Sequence, residues 1–227
     1  MKKLVIGLVV LVLLGAAAYG GFIWYENRNE QQATSLNDTK AKRAAAPQLA
    51  GSPDGEWKVS SGSRGGYRIE DEILRGATTT ATGYTDQVTG SITLADQGTT
   101  ISAANFSVDI ASITSEGFAN RDRAFQRVLG ADEFSTATFT LSAPIKLASF
   151  PADGVETKVD IAGDLTLKGT TVRQTFTGTA VRGGSRIDIT ALIPITYTDF
   201  GIENPSNPLA KIGDTGTIDV SLGLVKA

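Results

Sequence analysis

The chain has 227 residues and a net charge of −3, with 41% hydrophobic and 20% charged residues, ordinary values for a soluble domain that carries an apolar segment. It contains no Cys and no His, which rules out a thiolate nucleophile, a disulfide frame, a Cys/His zinc site, a Ser-His-Asp triad and lipid attachment through an N-terminal cysteine. From Glu56 onward, fifteen Lys and Arg stand against twenty Asp and Glu, a net −5, so the concentrated positive footprint of a nucleic-acid binder is missing.

The first segment, residues 1–25, opens with Lys2 and Lys3 and continues as an uncharged run of 22 residues from 4 to 25. At about 1.5 Å per residue such a run crosses a bilayer as one helix. Trp24 and Tyr25 close it, where amphipathic rings favour the headgroup level, and the two lysines hold the N-terminus in the cytoplasm. A cleaved signal peptide is the competing reading, with Ala16, Ala17 and Ala18 as the small residues for cleavage. Apolar character continuing through Phe22, Ile23 and Trp24 favours retention as a signal-anchor. Either way the rest of the chain is exported, and the expected location is the cell membrane with the C-terminal domain outside the cytoplasm.

Residues 26–55 are polar, Ala-rich and end in Pro and Gly signals. They cannot bury enough apolar surface to fold alone and read as a flexible, disordered linker. The alternative is that part of the stretch forms a short helix on the domain.

Residues 56–227 are long enough for one domain with a real core, and period-2 patterning recurs along them. Val88, Ile92 and Leu94 share one side of "VTGSITL"; Phe106, Val108 and Ile110 share one side of "NFSVDI". In "SEGFANRDRAFQRVLG" the period changes: Phe118, Phe125 and Leu129 stand at near-helical spacing and Gly130 follows as a C-cap, which predicts one short helix. Phe139 and Leu141 then resume the strand pattern. In "VETKVDIAGDLTLKG" (residues 155–169) Val155, Val159, Ile161, Leu165 and Leu167 form an apolar edge against charged and polar residues. Gly163, on the same edge, marks a bulge or leaves room for a ligand. Ile187, Ile189, Ala191, Ile193, Ile195 and Tyr197 align in the next strand, where Pro194 argues for an edge or a bulge at its far end. The last strand aligns Ile218, Val220, Leu222 and Leu224.

Short turns rich in Gly and Asp ("ADQG", "PADG", "LKGT", "RGGS") suit antiparallel hairpins. About eight strands joined this way predict an up-and-down antiparallel sheet that closes into a barrel to remove its edges. At that size the interior is either filled by side chains or holds one small ligand, and periodicity does not separate the two.

A series of motifs runs through this domain: "EWKVSSGSRGGYRIED" (56–71), "NRDRAF" (120–125), "DEFSTATF" (132–139), "GDLTLKG" (163–169) and "DFGI" (199–202). In order and spacing the series resembles the YceI-like family of polyisoprenoid-binding proteins, over residues 57–225. The resemblance implies an exported, lipocalin-like antiparallel β-barrel with a long isoprenoid chain in an apolar channel. The chain departs from the family in having no histidine where many members carry them in the first strand region, so no role of those histidines carries over.

An isoprenoid asks for an apolar wall rather than for chemistry. At about 0.8 kcal/mol per buried methylene, a five-carbon isoprene unit gains about 3–4 kcal/mol, against an association cost of roughly 4–15 kcal/mol. One or two units barely bind, which favours a long lipid. The candidate ligand-binding residues are the large apolar ones of inward parity: Tyr67, Ile69, Phe106, Val108, Phe139, Leu141, Val159, Ile161, Phe176, Ile189 and Ile193. Arg121 and Arg123 are candidates for contact with a phosphate or quinone-like head group, the alternative being that Arg121 and Asp122 hold the helix down. Glu70, Asp71 and Glu72, beside Arg75, alternate faces and read as a solvated hairpin end rather than as paired acids or a calcium site. "GSRGG" and "RGGS" do not sit between a strand and a helix and read as turns.

The expectation is therefore a membrane-tethered or secreted barrel that binds a hydrophobic lipid, polyisoprenoid or quinone-like, with no catalytic residue, metal or cofactor, and with a homodimer left open. Two alternatives remain: a lipid-modifying enzyme in the same barrel, which needs a buried Asp, Glu, Lys, Ser or Tyr as acid, base or nucleophile, and a filled barrel serving as a ligand-free surface interaction module.

Overall fold

The computed structural model describes residues 36, 39–73, 77–115, 119–204, 206 and 210–227. The predicted anchor at 4–25, the linker up to residue 35, Arg75 and Phe118 lie outside them. Among the described residues no helix is long and apolar enough to cross a membrane.

Among the described residues twelve strands run in chain order: β1 (Gly55–Val59), β2 (Arg64–Ile73), β3 (Ala77–Thr85), β4 (Val88–Ala95), β5 (Thr100–Asp109), β6 (Thr136–Leu141), β7 (Ile145–Lys146), β8 (Glu156–Leu167), β9 (Thr170–Gly183), β10 (Arg186–Thr196), β11 (Ala210–Ile212) and β12 (Thr215–Lys226). All strand pairings are antiparallel. β1 pairs with β4 and β2 with β3 in nearly one continuous register, Lys58 opposite Ser91 and Gly65 opposite Thr85. β1 and β2 thus act as one long bent strand, and β3 and β4 as another. Counted so, the barrel has eight staves, each bonded to the next in sequence, and β12 closes the ring by pairing with both β1 and β2. The expected eight-stranded antiparallel barrel is what the chain forms.

Tight turns make the meander possible. β8 and β9 meet over Lys168 (φ 50°) and Gly169 (φ 73°), two left-handed residues of the kind that match strand twist in a two-residue hairpin. "RGGS" turns β9 into β10 around Gly184 (φ 55°). "PADG" does not make a hairpin, because β7 pairs with β5 and not with β8. β8 is bonded to β6 only over residues 163–166, and among the described residues 156–161 have no strand partner on that side. Residues 147–155 cross this gap. Phe150 packs there against Gly98, whose absent Cβ would sit 2.4 Å from the ring, and the Arg182 guanidinium covers Phe150 at 4.8 Å.

Two predicted irregularities resolve differently. Pro194 sits where β10 has parted from β9, whose pairing ends at Ala191, and keeps only β12 as neighbour; a residue without an N–H belongs on such an edge. Gly163 does not mark a bulge, since its partners Leu141 and Gln174 continue both registers without a shift. A Cβ there would come within 2.2 Å of the Phe139 ring, so the glycine makes room for a neighbouring side chain. The bulge of the sheet lies at Thr93/Leu94.

Among the described residues there are two α-helices, where the barrel domain was expected to carry one. α1 (Lys40–Ala44) lies within the stretch that reads as linker, so the alternative of a short helix on the domain is what residues 40–44 form. It is held by a buried ionic cluster on the outer wall: Arg43 Nη1 donates to Asp188 Oδ2 at 2.8 Å and Arg186 Nε to Asp188 Oδ1 at 2.7 Å, with Asp188 only 1% exposed. Gly183 and Gly184 provide the seat, because side chains there would strike Arg43 and Pro47. The polar composition of this segment hides a docking contact that depends on partners some 145 residues away.

α2 (Ala119–Leu129) is the predicted helix, and Gly130 (φ 63°) ends it as a left-handed cap. It spans the connection from β5 to β6. Asp122 accepts a hydrogen bond from the Ser115 amide at 2.8 Å, Gln126 donates to the Ala111 carbonyl at 2.8 Å, and Phe125 stacks on Tyr67 at 4.0 Å.

The core divides into two clusters. One, under α2, contains Tyr67, Ile110, Ile113, Leu129, Leu165 and Phe200; the other, at the opposite end, contains Trp57, Ile92, Leu94, Ile187, Leu222 and Leu224.

Candidate ligand cavity

Between the two clusters the barrel is hollow, with a cavity of about 980 Å³. Strand alternation builds its wall: β8 sends in Val159, Ile161 and Leu165, β9 Phe176, and β10 Ile189, Ile193 and Ile195, while the residues on either side of each in sequence face out. All eleven apolar residues singled out from the sequence border this cavity. Phe139 and Phe176 meet edge to face at 5.5 Å across β8, the arrangement that Gly163 permits.

The polar side chains bordering the cavity are few: Tyr67, Asn120, Arg121, Thr138, Tyr197 and Thr217. Tyr67 Oη lies 3.2 Å from Ser115 Oγ. Among the described residues none of the bordering side chains is Asp, Glu, Lys or Ser. The bordering residues most exposed to solvent are Asn120 and Ala124, both on α2, which places the opening at that helix. Arg121 stands at this opening, whereas Arg123 is exposed and does not border the cavity: one helical turn cannot direct both arginines to the same side. Glu70 and Glu72 are exposed on β2, opposite Thr80 and Thr78.

Sequence reasoning left out part of the wall. Phe125, Val128 and Leu129 enter from α2, Ile195 and Leu222 from the strands, and Tyr197 from the turn that follows β10. The strand residues were accessible from the same parity that singled out Ile189 and Ile193. The helix residues were visible as an apolar stripe, but only the fold shows that the stripe faces a void.

Burial on the outer wall perturbs one group strongly. Tyr84 is 6% exposed, lies in the space left by the missing side chain of Gly66, and donates to Asp219 Oδ2 at 2.6 Å. Burial, then this hydrogen bond and the charge of Asp219, push its phenol well above the usual tyrosine range. Arg64 covers the ring at 4.4 Å and Arg68 lies 3.7 Å from Asp219. This cluster faces away from the cavity and serves the wall.

The arrangement has counterparts among known proteins. A polyisoprenoid binding domain from Saccharophagus degradans, implicated in plant cell wall breakdown, shares the fold at TM-score 0.62 and 20% identity, over 77% of this chain and 99% of that one. BcnA of Burkholderia cenocepacia does so at TM-score 0.53 and 16% identity, over 72% of this chain and 96% of that one. No curated protein sequence matches the chain. At such identities the likeness establishes the fold, and the family rests on a separate finding: residues 62–224 match the model of the YceI-like domain. With most of its length inside that match and the eight-staved barrel around its cavity, the chain belongs to the YceI-like family.

Proposed function

We propose that this protein binds and sequesters a long hydrophobic lipid, a polyisoprenoid or the tail of a quinone-like molecule, outside the cytoplasm. The carrying observation is the cavity: about 980 Å³ enclosed almost wholly by aliphatic and aromatic side chains. An apolar chain gains its binding energy from leaving water, in proportion to the area buried, and needs no specific polar partner along its length. The polyisoprenoid-binding relative from Saccharophagus degradans, with the same fold, supports an isoprenoid as the ligand. Arg121 and Asn120 at the opening suit a polar head left at the rim. The uncharged run at 4–25 acts in this reading as the anchor that keeps the barrel near its lipid source.

A hollow interior of about 980 Å³ favours this reading over the filled-barrel alternative. The enzyme alternative asks for a poised acid or base inside the cavity, and among the described residues those bordering it offer two tyrosines and one arginine but no carboxylate or lysine.

The test is to purify the full-length protein from its native host, extract it with organic solvent and identify co-purifying lipids by mass spectrometry. A long-chain isoprenoid in near-stoichiometric amount is the expected result. Repeated recovery of no lipid, together with no uptake of polyprenol from vesicles, refutes the proposal.

A further inference from the structure

We infer that the end of the cavity opposite α2 is a chain-length stop, set by Ala104 and Ala180; the inference rests on the lipid reading above. The lower core cluster is split by the floor of the cavity. Ile92, Ala104 and Leu222 border the void, whereas Trp57, Leu94, Ile187 and Leu224 of the same cluster do not. Trp57 and Leu224 are 0% exposed, and Trp57 is pinned by its indole N–H donating to the Pro53 carbonyl at 2.9 Å. Leu49, from the stretch between α1 and β1, and Phe150, from the 147–155 segment, pack onto this cluster. That end is sealed by close-packed side chains, and the opening is at α2.

Ala104 is opposite Ile92 in the β4–β5 pair, and Ala180 is opposite Ile189 in the β9–β10 pair. β5 and β9 are three staves apart in the ring of eight, so the two alanines border the same end of the void from different walls. Ile101 and Ile145, farther from α2, still border the void, so the two alanines leave it open on the approach to its floor. Polar groups stand at the opposite end, at Asn120 and Arg121, so the free hydrocarbon end goes in first and reaches the floor. Taking about 30 Å³ per carbon-sized group, the share of a water molecule in the liquid, the 980 Å³ cavity holds roughly 30 such groups, or about six isoprene units. A longer chain must leave its excess units outside the opening, where they add little to binding.

The experiment offers the full-length protein in phosphatidylcholine vesicles a ladder of polyprenols of increasing length, and reads the chain-length distribution retained after re-isolation. For the wild type, retention rises with each unit and levels off at about six. Ala104→Phe and Ala180→Phe each add about six carbon-sized groups, roughly 180 Å³ at the same measure, so the plateau comes about one unit earlier. Ala180→Leu, a smaller step, serves should the Phe variants fail to fold by circular dichroism. Leu192→Phe, on the outward face of β10 where Leu192 is 53% exposed and does not border the cavity, leaves the plateau where it is. Folded floor variants that level off at the wild-type length overturn the stop while leaving the lipid reading intact. A wild type that retains no member of the ladder overturns both.

Discussion

Asp188 offers the sharpest test of how the N-terminal segment is fixed to the barrel. Both carboxylate oxygens are engaged, by Arg43 at 2.8 Å and Arg186 at 2.7 Å, and the side chains are 1%, 11% and 8% exposed. Arg186 also donates to Ser60 at 2.9 Å, and its Nη2 is buried without an acceptor among the described residues. Asp188→Ala would leave two buried guanidinium groups with no carboxylate between them. Removing one member of a buried ion pair costs about 3–5 kcal/mol, a large part of the roughly 5–15 kcal/mol that holds a domain together. At a urea slope of about 2 kcal/mol per M, the unfolding midpoint falls by about 2 M. The Arg173–Asp164 pair is the control: its separation is also 2.7 Å, but its side chains are 60% and 43% exposed, and breaking it costs about 0–1 kcal/mol. The measurement is urea unfolding of both variants followed by tryptophan fluorescence. Equal and small losses for the two would refute the argument that burial, not distance, sets the value of these contacts. Arg43→Ala leaves Asp188 paired with Arg186, so its loss is smaller, and faster amide exchange in residues 40–46 marks the release of α1.

Gly163→Ala brings a Cβ to 2.6 Å from the Thr140 carbonyl oxygen as well as onto the Phe139 ring; since backbone cannot give way cheaply, the variant loses about 1–3 kcal/mol in thermal or urea unfolding. Tyr84 stays protonated far above pH 10 while the protein is folded, so spectrophotometric titration shows one tyrosine that ionises only on unfolding. Because its folded pKa is raised, the native state holds this proton more tightly. Its contribution is complete below the ordinary phenol value of about 10 and declines as pH rises above it. Tyr84→Phe abolishes that decline. Ile161→Glu places a carboxyl group on the cavity wall; with a charge to desolvate against an apolar ligand, retained lipid drops at least about tenfold while circular dichroism stays that of a barrel.

The parts of the fold that were legible are those where one residue dictates the next. Side chains on a strand alternate with period 2, so Phe176, Ile189 and Ile193 had no second place to go once their strands were recognised. Val155 shows the limit: it extends the parity of β8 but precedes the strand, which starts at Glu156, and is 52% exposed. The outer wall was legible only in part, because alternation reads every outward residue as solvated. Asp188 and Asp219 face outward and are buried, one under Arg43 and the other under Tyr84. The residues that cover them are remote in sequence, and no local pattern announces them.

Whether the barrel was hollow lay outside periodicity altogether. Eight staves enclose a space that large side chains can fill, so a void needs inward positions with little side chain. The chain has these at Ala104, Gly178, Ala180 and Ala191, all bordering the cavity. Small size alone does not decide the matter. Gly83 faces the interior too, but its space is taken by the Tyr67 ring, 2.7 Å from where a Cβ would stand. Gly178 is also leaned upon, by Ile161 at 3.0 Å, yet both residues still border the void. A glycine on an inward parity is therefore as often a seat for a neighbour as a place for a ligand, and only the direction of that neighbour tells them apart. In this barrel the ring of Tyr67 turns toward Phe125 of α2 and closes the wall there, while opposite Ala104 and Ala180 no aromatic turns inward, and the space stays open.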